Sequence, residues 1–335
     1  MTHILTSRQN SLGLITLHRP AALNAQDLQM VRDFNAALDG FEQDGSIKHV
    51  LVQGAGGKAF CAGGDIRAAA TRPAVEAAQF FREEYRLVGR IAGFPKPVIS
   101  LVDGICMGGG MGIAVHSRYC IVTENAVMAM PEMKIGLFPD IGAAYFLARA
   151  PGAFGIWLAL TGARLSAGDA GYARLASGCL PSAQIPSFID LIAAGNPVPD
   201  LPCPASPLAA HQAEIDEAFS APAVEEIVSR LERMETPWAE AQLFALQSGS
   251  PTSQKVTLQH MWRSRGQDLR AVLTRDYRIA SACLRGPDFR EGVRALVIDK
   301  DKTPRWNPPS LEDVTPGLVA RHFSPPIGPE LYAGN

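Results

Sequence analysis

The stretch PKPVISLVDGICMGGGMG, Pro95 to Gly112, runs from two prolines through an apolar segment into a triplet of glycines. Val98 to Val102 has the length and composition of a buried strand. Gly108, Gly109 and Gly110 then form a strand-to-helix turn. A glycine turn that opens a helix leaves unpaired N–H groups, and these can face a developing negative charge. The same glycines also suit plain tight packing, where backbone approaches backbone. The surrounding run, Pro97 to Val115, is the most apolar in the chain, but Asp103 and five glycines make it a poor membrane span.

Outward from this stretch, strands and helices alternate. Leu12 to Leu17 is β-like and stops at His18, Arg19 and Pro20. Leu28, Val31, Phe34, Leu38 and Phe41 recur at the spacing of an amphipathic helix. His49 to Gln53 reads as a short buried strand, and Ala74 to Ile91 as a second helix. Strand, helix and strand in this order predict parallel pairing through crossovers. Gly142 to Leu160 is helical in pattern. Seven prolines between Pro181 and Pro207 argue against a continuous helix or central strand there and mark a domain boundary. The expected organisation is a first domain over residues 1–200 and a helical region over 201–335. Helices are expected around Val224 to Arg233, Ala239 to Leu246, Thr252 to Arg263 and Asp268 to Leu284, followed by an extended tail from Lys300 to Asn335. No internal repeat is visible in the sequence.

Composition narrows the function. The chain has 335 residues, 47% of them apolar, enough for a sizeable core. With 31 basic and 33 acidic residues the net charge is -2, which argues against a nucleic-acid partner. Six cysteines lie far apart, with no C-x-x-C pair and no clustered histidines. They suggest neither a metal site nor a disulfide framework, and they fit a reduced interior. Met1 to Asn10 lacks the regions of a signal peptide. A cytoplasmic setting is the resulting expectation.

Gly54 to Ala59 formally matches a dinucleotide-binding G-x-G-x-x-A. The pattern needs a helix directly after it, whereas two further glycines, Gly63 and Gly64, follow. A Walker loop fails because Ala59 follows Lys58. Three acids stand out instead. Glu84 falls on the apolar face defined by Ala77, Phe81, Val88 and Ile91, where a carboxylate is costly unless partnered or lining a polar cavity; its plainer role is a boundary residue reaching solvent. Glu132 follows Pro131 at the end of an apolar strand, where a solvated turn is the plainer role. Asp140 follows Pro139 just before a helical segment, where a helix N-cap is the plainer role. His116 reads as a core histidine. Cys61 and Cys106 read as buried and inert, although Cys61 beside the first glycine pair also suits a nucleophile. No G-x-S-x-G elbow occurs.

Together, GAGGKAFCAGGDIR from Gly54, FFREEY from Phe80, the Pro95 stretch and MAMPEMKIGLFPDIG from Met128 resemble the enoyl-CoA hydratase/isomerase (crotonase) superfamily, within it the 3-hydroxyisobutyryl-CoA hydrolase branch. SPTSQKVTL from Ser250 and DYRIASACLRGPDFREGVRALVIDKDKTPRWNPPSLEDV from Asp276 extend the likeness over nearly the whole chain. The resemblance implies an α/β fold, a spiral of ββα turns, with a helical C-terminal region that covers an acyl-CoA site and often mediates assembly, so a homo-oligomer is open. It implies that the Gly64 and Gly109 amides, flanked by Gly63 and Gly108, bind the thioester oxygen. Glu132 would be general base or nucleophile, and Asp140 and Glu84 would position a substrate 3-hydroxyl. Hydratases of the superfamily carry a further glutamate at the position of Gly112 and usually glycine at that of Asp140; this chain departs from them at both. The activity implied is hydrolysis of a short 3-hydroxyacyl-CoA, a step of valine degradation, with no cofactor beyond the CoA of the substrate. Lys58 and Arg67, on either side of the first glycine loop, are candidates for CoA phosphates. A hydratase or isomerase, and a non-catalytic acyl-CoA-binding protein, are the alternatives.

Overall fold

The computed structural model describes residues 3–326 and 328–333. Two compact units share the chain: Met1–Asp65, Arg86–Ala129 and Arg164–Ala209 form one, and Ile66–Tyr85, Met130–Ala163 and Ala210–Asn335 form the other.

The first unit holds the strands β1 (Ile4–Gln9), β2 (Leu12–Leu17), β3 (His49–Gly54), β4 (Ala59–Cys61), β5 (Val98–Val102), β6 (Ile105–Met107), β7 (Tyr119–Val122), β8 (Val127–Ala129) and β9 (Gly178–Cys179). One sheet runs β1-β2-β3-β5-β7-β9 and a second runs β4-β6-β8. Among these strands the β1–β2 hairpin is antiparallel and the other pairs are parallel. The order shows how the chain winds. Each of β3-β4, β5-β6 and β7-β8 places one strand in the larger sheet and the next in the smaller, and the helices Ala74–Ala92 and Gly109–His116 carry the chain from one winding to the next. This is the ββα spiral that the resemblance implied. Every residue of β5 is buried, and its one polar side chain, Ser100, is satisfied by the Ser117 hydroxyl at 2.8 Å. Helix Leu28–Gln43 starts where Asp27 accepts from the Met30 N–H at 2.8 Å, and it buries Met30, Val31, Phe34 and Leu38.

Two expectations fail here. The proline-rich stretch does contain a continuous helix, Ile185–Ala193, with Pro186 in its first turn, where the missing N–H has no intrahelical role. Its Phe188, Ile192 and Ala193 pack on Leu12, Leu51, Ile99 and Ile121 of the larger sheet. The cysteines are not all free either: Cys179 and Cys203, 24 residues apart, form a disulfide. The Cys179 N–H donates to Leu201 O at 3.0 Å, so a loop closure invisible in the spacing brings the thiols together. Cys61, Cys106, Cys120 and Cys283 are free and buried.

The second unit is helical. Val224–Met234, Pro237–Gln247, Pro251–Ser264 and Leu269–Arg285 occur within a few residues of their predicted positions. Thr236, Ser250 and Asp268 cap three of them through their side chains. The segment expected to be helical from Gly142 to Leu160 is two helices, Ala143–Leu147 and Phe154–Thr161, separated at Pro151 and Gly152. The expected extended tail includes a short helix, Pro316–Arg321; its residues 327, 334 and 335 lie outside the described residues. Among the described residues no helix is long and apolar enough to cross a membrane.

Candidate active site

In the first unit, β4 ends at Cys61 and the chain turns through Gly63 and Gly64. The Gln26 N–H donates to Gly63 O at 2.8 Å, and the Asp65 N–H donates to Gln26 O at 2.7 Å. In this parallel bridge the residues on either side of Gly64 make the bonds, which leaves its own N–H outside the ladder. Gly63 has φ +107, and a Cβ on it would lie 3.2 Å from Met107 O and 3.6 Å from Gly109 N. The two glycine loops are therefore side by side. Gly108 turns the chain at φ 50 and ψ -121, and Gly109 begins the helix Gly109–His116, where a first-turn amide has no intrahelical acceptor. Among the described residues neither the Gly64 nor the Gly109 N–H joins a turn, ladder or cap bond. Lys58 in this unit is exposed.

In the second unit, the structure brings together the three acids singled out in the sequence. Pro131 leads into a 3-10 turn, Glu132–Ile135, closed by Gly136 at φ 66. Only glycine fits there, because a Cβ would lie 2.4 Å from the backbone of Asp288. Glu132 is 5% exposed rather than solvated, and its Oε2 is buried without a hydrogen-bond partner among the described residues. Burial holds its carboxyl well above the usual carboxylate range, and the negative charges of Asp140 and Glu84 push in the same direction. Glu84, 3% exposed on helix Ala74–Ala92, is raised likewise, first by burial and then by Asp140. In both glutamates burial is the larger cause and like-charge proximity the smaller.

Asp140 is not an N-cap. The helix Ala143–Leu147 begins at Gly142 with no side-chain cap, and the Asp140 carboxylate accepts instead from the Tyr85 hydroxyl at 2.5 Å. Burial pushes Asp140 up to about 7; the Tyr85 bond opposes this, and the charge of Asp276 adds to it. Asp276, fully buried, accepts the Gly142 N–H on Oδ2 at 2.6 Å and meets His260 Nε2 on Oδ1 at 2.6 Å.

Neither Tyr85 nor Asp276 was singled out in the sequence. A signal existed for Asp276: it stands between Val272 and Ala280 on the buried stripe of helix Leu269–Arg285, the same pattern that drew attention to Glu84. Arg67 donates to Val297 O at 2.8 Å. The Cys61 thiol is buried and donates to Gly63 O at 3.6 Å. Burial raises the Cys106 thiol well above its usual range and Cys120 to about 12, which suits inert cysteines.

Known proteins resemble this chain along most of its length. Residues 12–323 match the enoyl-CoA hydratase/isomerase family. The chicken protein named mitochondrial 3-hydroxyisobutyryl-CoA hydrolase (Gallus gallus) is 41% identical, over 96% of this chain and 89% of that protein; the human protein of the same name (Homo sapiens) is 40% identical, over 96% and 88%. A crystal structure described as an enoyl-CoA hydratase from Rhodobacter sphaeroides superposes with a TM-score of 0.94 at 41% identity, over 98% of this chain and 99% of that one. Another, described as a carnitinyl-CoA dehydratase from Mycobacterium thermoresistibile, gives 0.93 at 36% identity, with all of both chains covered. The curated relatives are named as mitochondrial enzymes, which overturns the expectation of a cytoplasmic setting. With a match this long and identities near 40%, the chain belongs to the enoyl-CoA hydratase/isomerase family.

Proposed function

We propose that this protein hydrolyses a short-chain 3-hydroxyacyl-CoA thioester, with 3-hydroxyisobutyryl-CoA as the preferred substrate, to the hydroxy acid and free CoA. The observation that carries the reading is Glu132: a buried carboxyl with one oxygen unpartnered and its affinity for protons raised. A general base with a raised pKa works best near neutral pH. The relatives named as hydrolases support the same reaction.

In this reading Glu132 takes a proton from water as the water oxygen bonds to the thioester carbon, or its carboxylate bonds to that carbon first and water opens the resulting anhydride. Either route moves the carbonyl electrons onto oxygen, where the Gly64 and Gly109 N–H groups stabilise them. One such donor is worth about 3 kcal/mol of barrier. Collapse then breaks the C–S bond, and the thiolate leaves readily because a thiol of this kind has a pKa of about 8.5. Asp140 and Glu84 position the 3-hydroxyl, and Lys58 and Arg67 are assigned to the CoA phosphates.

The solved structures described as a hydratase and a dehydratase keep addition and elimination of water as the second reading. Against it stands Gly112, a buried glycine in helix Gly109–His116 where that chemistry would use a second carboxylate. A free-thiol assay on 3-hydroxyisobutyryl-CoA, 3-hydroxypropionyl-CoA and crotonyl-CoA separates the two. Thiol release is expected from the hydroxyacyl esters and is expected to vanish in Glu132→Gln while acyl-CoA binding survives. Near-normal turnover in that variant overturns the assignment.

A further inference from the structure

We propose that Asp276 and His260 are positioning residues that clamp the loop carrying Asp140 from both sides, with Asp276 adding a charge that acts on the Asp140 carboxyl. The inference rests on the role given to Asp140 above.

The loop runs Phe138, Pro139, Asp140, Ile141, Gly142. Its last two residues have left-handed backbones, Ile141 at φ 55 and Gly142 at φ 79. For a β-branched residue this conformation is rare and costly, and it persists only where the surroundings impose it. Asp276 supplies that constraint by accepting the Gly142 N–H at 2.6 Å. On the other side of Asp140, the Phe138 ring meets the His260 ring edge-on, with centroids 5.7 Å apart. The two clamp residues are bonded to each other at 2.6 Å, and their side chains are 1% and 0% exposed. His260 is held in turn by the Ser264 hydroxyl at 3.4 Å from Nδ1, and Ser264 accepts from Arg275 at 3.0 Å.

The groups facing Asp140 come from several elements: Glu84 and Tyr85 from helix Ala74–Ala92, Glu132 from the 3-10 turn, and Asp276 and Cys283 from helix Leu269–Arg285. Asp276 both bonds the loop backbone and places a charge near the Asp140 carboxyl.

Charge and geometry separate by substitution. Asp276→Asn keeps an acceptor for the Gly142 N–H and removes the charge, whereas Asp276→Ala removes both. With Asn, the limb of the kcat profile governed by Asp140 is expected to move to lower pH by about half a unit or more, with KM little changed. With Ala, kcat is expected to fall by about tenfold or more, while KM moves by less than about twofold. A profile for Asp276→Asn that superimposes on the unsubstituted protein overturns the proposal. If the Asp276 variants do not fold, His260→Leu carries the test. It strips Asp276 of its donor and the Phe138 ring of its neighbour, so kcat is expected to fall by about tenfold with acyl-CoA affinity retained; an unchanged kcat overturns the clamp. Glu132→Gln is assayed alongside. If it stays active the functional reading fails whatever Asp276 does, and if it is dead while Asp276→Asn and Asp276→Ala are both silent, only the clamp proposal fails.

Discussion

The Tyr85 hydroxyl donates to Asp140 Oδ2 at 2.5 Å across 55 residues of sequence, and both groups are buried. This side-chain bond favours the charged form of Asp140, in a setting where burial favours the neutral one. Tyr85→Phe keeps the ring and removes the bond. The Asp140-governed midpoint of the kcat profile is expected to rise by about one unit, opposite in direction to the shift expected from Asp276→Asn. Initial rates between pH 5 and 9 check it, and a downward shift contradicts it.

The stability contributed by the buried acids of the site should fall as pH rises from about 4 to about 7. Asp140 titrates near 7 in the folded protein, against a usual value of 3.8, so in that window the native state keeps a proton that the unfolded chain has released. Glu132 and Glu84 act in the same direction. Groups that the fold lowers, such as His49 and His322 through burial and Glu291 through its bond from Arg294, act in the opposite sense, so the contribution of Asp140 is read as the difference from Asp140→Asn. Asp140→Asn is expected to flatten the decline and to raise Tm at pH 8 by roughly 2 °C or more. Melting curves at pH 5 and pH 8 give the comparison.

Gly110 sits directly against the end of β4, just before the first glycine loop. A Cβ there would lie 2.3 Å from Cys61 O and 3.0 Å from its carbonyl carbon, both backbone atoms. Gly110→Ala should therefore cost about 1 to 3 kcal/mol of stability and lower kcat by disturbing both amide turns. Gly40→Ala, inside helix Leu28–Gln43 where a Cβ meets nothing within 4 Å, is the control and should leave kcat unchanged and stability the same or up to about 1 kcal/mol higher. Denaturant titration and turnover on the two variants decide it.

The Cys179–Cys203 disulfide closes a loop across 24 residues. A cross-link of that span contributes about 3 kcal/mol in the chain-entropy account. Cys203→Ser is expected to lower Tm, and a reductant is expected to lower the unsubstituted protein to the same value while leaving the variant unmoved. Scanning calorimetry with and without reductant tests both statements.

Much of this was legible in the sequence because it depends on neighbours along the chain. The spiral follows from strands and helices in alternation, and the free Gly109 amide follows from a glycine opening a helix. Glu84 was conspicuous because its place on an apolar face is a local contradiction. Tyr85 and Asp276 were hidden for the opposite reason: an apolar-bodied tyrosine on a buried helix raises no conflict, and the bond from Asp276 to Gly142 spans 134 residues. The disulfide and the helix Ile185–Ala193 were missed on local grounds that tertiary contacts overrode. Cysteine spacing says nothing of a loop that returns, and proline density says nothing of the proline-free interval after Pro186 in which a helix fits.

The dependence of the Asp140 loop on a helix more than a hundred residues downstream has a consequence for anyone reshaping these enzymes. Transplanting GLFPD into a relative that lacks an acid opposite the loop would carry over the letters and not the shape. The acceptor on the far helix has to travel with it.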